Sequence, residues 1–402
     1  MHIAILAPSD KSIIAPFLSN YSIEEFPDGY FGAPFIATII QEFLRLGHQI
    51  TAITTSKAIA KDYTTKTFSN GRFTWVVVAS RPKSFRFNGL KLGRIIDFYS
   101  LEKYKMVEIL NQYKPDIVHA HWSYEFAGAA INAKFPYLIT VHDNAYQILK
   151  YFKNIYRFSR LLMSEYNFFN IHYASTVSPY MLNYVKKRCD NVAVIPNPIS
   201  VLLNDHEIDL LIKDKLRSLK NPSIIMINNG WDSRKNGKNG LIAFNQLLSK
   251  FPNAKLNLYG GGTEMYGLAY KDALKLGLTN ITFNGPVSHL SLINALKNSH
   301  ILLHPSLEES FGVVLIEAMS FGIPTIGGKD SGAVPWVINN DELLVDVSNT
   351  NCMFNKIVDM LSDNNLYAHL ANSSYRNVVQ RFSADKVVEL YLKYYHQIIF
   401  NI

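Results

Sequence analysis

Two carboxylates, Glu309 and Glu317, stand eight positions apart in EESFGVVLIEAM, on either side of a Phe311-Gly312 pair that opens an apolar run. The strand pattern of HILLHPS and the helical pattern of GVVLIEAMSFG, closed by Gly322 and Pro324, make residues 310–312 the turn between them. The amides of Gly312, Val313 and Val314 then open a helix without partners inside it, which attracts an anion, phosphate above all. Gly312 lets that guest approach because it has no Cβ. Glu317, just over one turn inward, can reach a group attached to the phosphate. A glycosidase pair is the competing chemistry, but it needs carboxyl groups roughly 5 to 10 Å apart, whereas eight helical residues span about 12 Å. Taken alone, the two glutamates read equally well as a solvated loop acid and a helix acid with a neighbouring cation.

A second constellation is cationic. NNGWDSRKNGKNG, directly after the strand pattern SIIMINN, supplies Arg234, Lys235 and Lys238. Cations fixed beside a leaving diphosphate stabilise the charge that develops on it more than they stabilise the ground state. His142 ends the strand pattern YLITVHD, and FPDGYFGAPF sets Phe31 and Gly32 in a loop after the first strand. His119 and His121, in HAHW, are expected to point to opposite faces of their strand and so not to share a metal. Cys189 and Cys352 are far apart and lack companions at metal-ligand spacing, so neither a disulfide nor a zinc site is expected.

These residues need elements to hold them. HIAILAP, QITAITT, TWVVVAS, DIVHAH and YLITVHD alternate with helix-length segments, and from Ser223 a second series runs through SIIMINN, AKLNLYG, NITFNG, HILLHP, IPTIGG and ELLVDV. Strands alternating with helices mean parallel α/β sheets covered on both faces. At 402 residues, 48% of them apolar and 18% charged, the chain has the composition of two folded domains. The expected boundaries are residues 1–198, a linker at 199–221, a second domain at 222–380 and a terminal helix at 381–402. Ligands of such sheets lie beyond the carboxyl ends of the strands, so two facing domains are expected to share one cleft. The formal charge of +8 suits anionic partners. MHIAILAPSD reads as a strand and not a leader, and no uncharged apolar run approaches the roughly 20 residues of a membrane span; a cytoplasmic protein is expected.

HPSLEESFGVVLIEAMSFGIPTI resembles the signature of the retaining glycosyltransferases of family 4, in which two glutamates flank seven residues beside a Phe-Gly turn. LRLGHQITAIT, DIVHAHW, ITVHD, TVSPY, VIPNPI, LNLYGGG and ITFNGPV follow the family's order through nearly the whole chain. The resemblance implies the GT-B architecture, two Rossmann-like domains with the active site between them, and makes SADKVVELYLKYYHQII a helix returning to the first. It implies that Glu317 bonds the ribose of a nucleotide sugar, that Glu309 bonds the donor sugar's hydroxyls, and that the turn from Phe311 through Gly312, Val313 and Val314 holds the diphosphate. The family carries a Gly-Arg pair and a lysine after the first strand of the second domain. Here Gly230-Trp231 replaces the pair, so Lys235 takes the lysine's role and Arg234 is expected to replace the arginine. His142 matches a histidine that contacts the donor sugar, and Gly32, preceded by Phe31, stands where a Gly-Gly pair approaches phosphate and acceptor. Trp336, where a glutamate is common, is expected to pack. No metal or other cofactor is implied; the UDP-, GDP- or ADP-sugar is a substrate.

The first domain binds the acceptor in this family, and two basic, aromatic stretches fall in it. Residues 148–169 carry Lys150, Lys153, Arg157 and Arg160, and residues 81–94 carry RPKSFRFNGLKLGR. Such segments suit an anionic membrane surface, and no nucleic-acid module accompanies them. The expected reaction is sugar transfer to a saccharide or lipid-linked saccharide, in bacterial surface polysaccharide or lipopolysaccharide synthesis at the inner membrane face. A GT-B epimerase or phosphorylase, or a non-catalytic nucleotide-sugar-binding protein, would share most of these features.

Overall fold

The structure, a computed structural model, describes residues 1–60 and 64–400. The chain divides into two compact units, Met1–Pro198 together with Ala384–Ile402, and Ile199–Ser383.

In the first unit, β1 (His2–Leu6), β2 (Gln49–Ser56), β3 (Lys66–Asn70), β4 (Phe73–Ala79), β5 (Ile117–His121), β6 (Tyr137–Val141), β7 (Tyr173–Thr176) and β8 (Asn191–Val194) form one sheet in the order β3-β4-β2-β1-β5-β6-β7-β8. Only the edge pair β3–β4 is antiparallel among the described strands. Ile3, Ala4, Ile5 and Leu6 of β1 are all fully buried, since helices cover both faces of a parallel sheet and leave no polar side to its central strands. Chain order reverses at β1, which pairs with β2 on one side and β5 on the other. The loops leaving β1 and β5 therefore diverge, and ligands of doubly wound sheets sit in that opening.

The helix Ala384–Phe400 completes this unit. Tyr395 stacks on Phe43 of the helix Phe35–Arg45 with ring centroids 5.8 Å apart. Val387, Val388, Tyr391 and Tyr395 are fully buried. The return of the C-terminal helix to the first unit thus occurs, starting at Ala384.

The second unit holds β9 (Ser223–Ile227), β10 (Lys255–Tyr259), β11 (Ile281–Phe283), β12 (Ile301–His304), β13 (Thr325–Gly328) and β14 (Leu344–Val345), all parallel, in the order β11-β10-β9-β12-β13-β14. Ile301 of β12 is in register with Ile224 of β9, and chain order reverses between these two strands. Residues 199–221, expected as a linker, belong to this unit and carry the helix Asp205–Ser218. Asn204 and Glu207 cap it reciprocally, each side chain accepting from the other's backbone N–H at 3.1 and 2.8 Å. Ile208 and Ile212 are buried, and Lys215 Nζ donates to the carbonyl oxygens of Lys297, at 2.7 Å, and Ser299. The charged exposed face of this helix is what made the stretch read as a linker. Among the described residues no helix is long and apolar enough to cross a membrane.

Candidate functional site

In the second unit the carboxyl ends of β9 and β12 feed two loops that are tied together. Asn236, in the left-handed region at φ +52°, starts the helix Gly237–Leu247, and its side-chain amide donates to the carbonyl oxygens of Pro305 (3.0 Å) and Val347 (2.9 Å). The Leu307 N–H donates to the Arg234 carbonyl at 2.8 Å. The basic loop after β9 is thereby fixed against the acidic segment after β12.

Lys235 and Glu309 meet at this junction, Nζ to Oε1, at 2.6 Å, each residue only 8% exposed. His304, the last residue of β12, places Nε2 3.3 Å from the same oxygen, but too poorly aligned for a hydrogen bond. Burial pushes the Glu309 carboxyl up, yet the Lys235 ammonium and His304 outweigh it and hold it well below its ordinary 4.5. Glu309 is therefore ionised at neutral pH and can only accept hydrogen bonds. Arg234 is less well answered: its Nη1 lies 3.4 Å from Glu308 Oε2. Burial raises the Glu308 carboxyl, opposed by Arg234 and reinforced by Glu309.

Among the described residues, Arg234 Nε, Glu308 Oε1, both ring nitrogens of His304, Ser306 Oγ and the side-chain amide of Asn228 are buried without a hydrogen-bond partner. Asn228 and Arg234 follow β9, His304 ends β12, and Ser306 and Glu308 follow it. A buried polar atom left unpaired costs about 1–3 kcal/mol, so such a concentration marks a place for a polar guest.

Gly312, at φ +85°, starts the helix Val313–Met319. Glu317 is buried on that helix, with Oε1 2.7 Å from His289 Nε2. The Glu317 bond raises the His289 pKa above its ordinary value, against the pull of burial. The Phe311 side chain packs inward, buried edge-on to Trp336 and Phe382 at 6.3 and 5.6 Å between ring centroids, which leaves only its backbone to the turn. Trp336 packs as expected, with the Arg381 guanidinium 4.7 Å over its ring. Gly230, at φ +112°, turns the chain out of β9. Trp231, at the arginine position of the resemblance, is a packing residue: its ring lies against Gly237, its Cβ and backbone against Gly262, and Nε1 donates to Asp272 at 3.1 Å.

In the first unit His142 follows β6, its Nε2 2.9 Å from Nδ1 of His121 at the end of β5. The expectation that His119 and His121 face opposite ways fails. Residues two apart on a strand share a face, and the two rings lie 4.1 Å apart. His119 is held between Thr140 Oγ1 (2.7 Å) and Tyr395 Oη (2.6 Å). Burial pushes His119 and His142 down to about 3, and His121 well below its ordinary value, so all three are neutral imidazoles at neutral pH.

In the loop after β1, Phe31 is 78% exposed and Gly32 adopts φ +124° with open space where a Cβ would lie. Gly29, two residues before Phe31, packs against the chain itself: a Cβ there would sit 2.3 Å from the Ser9 carbonyl oxygen. The basic stretches are partly inward. Arg160 is buried, ion-paired with Glu125 and 3.7 Å over the Tyr124 ring, and Arg81 is buried between Asp97 and Glu102 at 2.7 and 2.6 Å.

His304, Glu308, Asn228 and His289 were not singled out in the sequence. A histidine ending a strand was the available signal for His304, the same signal that marks His142.

Two parallel α/β units, the second with polar side chains gathered where its two central strands end, define the GT-B class of glycosyltransferase. Residues 33–201 match the family model described as Glycosyltransferase Family 4, and residues 209–377 the one described as Glycosyl transferases group 1. Both units are covered, and the chain belongs to this glycosyltransferase family. It is 28% identical over 39% of its length to the N-acetyl-alpha-D-glucosaminyl L-malate synthase of Bacillus anthracis, a match that spans only 41% of that relative. Its fold superposes on sucrose-phosphate synthase from Thermosynechococcus elongatus with a TM-score of 0.72, at 18% identity and 100% coverage of both chains. An Anabaena protein, HepE, solved in complex with UDP and glucose, gives 0.67 at 16% identity and 98% coverage of each.

Proposed function

We propose that the chain moves a sugar, with retention of anomeric configuration, from a nucleoside diphosphate donor to a hydroxyl of a saccharide acceptor. One observation carries this reading: the buried Lys235–Glu309 pair beside an under-bonded Arg234, where β9 and β12 end. An ionised Glu309 accepts from the donor sugar's hydroxyls and cannot act as a proton donor. The acceptor hydroxyl attacks the anomeric carbon on the face from which the diphosphate leaves, the bond from that carbon to the diphosphate oxygen breaks, and the hydroxyl proton passes to a phosphate oxygen. Arg234, Lys235 and the amides of Gly312, Val313 and Val314 take up the charge of the leaving group, the part a metal ion plays in other transferases. Glu317 holds the ribose, and His142 serves as a neutral hydrogen-bonding group to the sugar.

The UDP and glucose bound to the Anabaena protein make UDP-glucose the first donor to try. Incubation with UDP-, GDP- and ADP-glucose, reading nucleotide release, tests the reading. Release from one donor that Lys235→Gln abolishes is expected, and no release from any donor, with or without saccharide acceptors, would overturn it.

A lipid-linked acceptor, as in surface polysaccharide synthesis, is supported by the exposure of large apolar side chains in both basic stretches of the first unit, Phe87 and Leu90 in one and Ile155, Phe158 and Phe169 in the other, which also carries the exposed Lys150 and Lys153. Apolar side chains among cations fit the boundary of an anionic membrane. Flotation with vesicles containing phosphatidylglycerol, and none with pure phosphatidylcholine, is the expected outcome.

A further inference from the structure

Lys235 faces two demands. Its ammonium is taken by Glu309 at 2.6 Å, with both side chains buried, whereas the transferase reading turns the same ammonium to a leaving diphosphate. As it moves to the phosphate its bond to Glu309 lengthens or breaks, and a buried carboxylate that loses its partner is strongly unfavourable. Another group at the junction has to answer Glu309.

His304 is placed for that. It ends β12, is 2% exposed, and both of its ring nitrogens lie buried without a hydrogen-bond partner among the described residues. Its register partner on β13 is Gly327, which brings no side chain to it. Nε2 lies 3.3 Å from Oε1 of Glu309, the oxygen that Lys235 holds, so a small turn of the ring converts an unaligned contact into a hydrogen bond. The same contact settles the tautomer. A carboxylate only accepts hydrogen bonds, so the nitrogen facing it carries the proton. Against burial, Lys235 first and His304 next hold the Glu309 carboxyl below its ordinary range.

We propose that His304 is a positioning residue for the transfer: it takes over Oε1 of Glu309 when a nucleoside diphosphate draws Lys235 away, and so keeps the carboxylate fixed while Oε2 meets the sugar's hydroxyls. The proposal rests on the transferase reading, since the diphosphate is what moves Lys235. A neutral imidazole supplies the hydrogen bond but not the charge, so its contribution shows only once Lys235 has turned.

Calorimetric titration of the full chain with UDP, GDP and ADP, and melting temperatures without nucleotide, test it. The variants are His304→Phe, which keeps a ring without a donor, His304→Gln, whose amide reaches the place of Nε2, Lys235→Ala, and Lys235→Ala/His304→Phe. His304→Phe should melt near wild type, because Lys235 still answers Glu309, yet bind the nucleotide about tenfold more weakly, the worth of a hydrogen bond to a charged group. His304→Gln should restore the affinity. Without Lys235 there is no ammonium to release, so in that background His304→Phe should leave affinity where Lys235→Ala alone puts it and lower the melting temperature instead. NMR spectra of histidine-labelled wild type, with the His304 signal assigned by its loss in His304→Gln, should show Nε2 protonated and its proton moving downfield as nucleotide binds. A bare Nε2 overturns the proposal, as does an equal loss of affinity with and without Lys235, or an equal loss of melting temperature in both backgrounds, which marks a structural role only. Nucleotide binding indifferent to His304 sinks the handover alone, whereas no nucleotide binding by wild type sinks the donor assignment and the handover with it.

Discussion

Lys235 and Glu309 cannot be altered independently. Both are buried, and removing one partner of a buried pair leaves the other charge uncompensated, at a cost of about 3–5 kcal/mol. Lys235→Ala should therefore lower both turnover and melting temperature. The double variant Lys235→Ala/Glu309→Gln removes the stranded charge, so its melting temperature should recover most of the loss while turnover stays down by about a hundredfold, the ~3 kcal/mol of one positioned donor. If the double variant regained turnover along with stability, Lys235 would have a structural role only. Glu317→Gln separates differently, because its partner His289 is exposed and can turn to water. Donor KM should rise about tenfold, roughly one hydrogen bond to a charged group, with kcat within a few-fold of wild type. Glu309, Glu317 and Lys235 were legible because their spacing is a local property of one strand, turn and helix. Asn228, Ser306 and Glu308 were not, since what marks them is a missing partner, and that exists only once β9 and β12 lie side by side.

At the scale of elements, the turn into the helix Val313–Met319 depends on one backbone conformation. Gly312→Ala would hold an L-residue at φ +85° and bring its Cβ to 2.9 Å from Leu315 Cδ1. A left-handed L-residue costs about 1–2 kcal/mol, and Leu315 must shift as well. A lower melting temperature together with weaker donor binding is expected; unchanged donor binding would show that the turn does not hold the diphosphate. The ends of β5 and β6 make a second prediction. His119 and His142 titrate near 3 in the fold and near their ordinary 6.5 once unfolded, so between those values the unfolded chain binds more protons and stability falls as the pH is lowered. Each contributes ~1.4 kcal/mol per pH unit. Urea unfolding at pH 7 and pH 5 should show the first unit losing stability, and equal midpoints would mean the imidazoles are not buried as neutral groups. Central parallel strands such as β1, β2 and β5 were readable as apolar runs because both of their faces are covered, whereas β7 and the half-exposed β8 fell outside the runs read as strands. β3 was not legible either, being a polar antiparallel edge in which Lys66, Thr67 and Ser69 are exposed and Phe68 and Asn70 only half-buried.

At the scale of the whole molecule, the chain leaves the first unit at Pro198 and re-enters it at Ala384. The two crossing segments run side by side, with the Ile199 N–H donating to the Phe382 carbonyl at 2.8 Å and Ile199 bridging to Ser383. The first unit is therefore finished only by the last helix of the chain. Deleting residues 384–402 would expose the faces that now bury Val387, Val388, Tyr391, Tyr395 and Ile398. At ~1.5–3 kcal/mol for each large apolar side chain, this approaches the 5–15 kcal/mol that holds a typical domain together. The same deletion would take Tyr395 Oη and the Tyr391 ring from His119, opening that imidazole to water. The second unit, Ile199–Ser383, keeps its sheet and its site residues intact. Scanning calorimetry of the truncated chain should thus resolve two transitions, the lower belonging to the first unit, with UDP raising only the upper one. A single transition at the full-length temperature would show that the terminal helix adds nothing to the first unit. A single transition at a lower temperature would show that the two units unfold together, so that the stability of the second unit depends on the helix that completes the first.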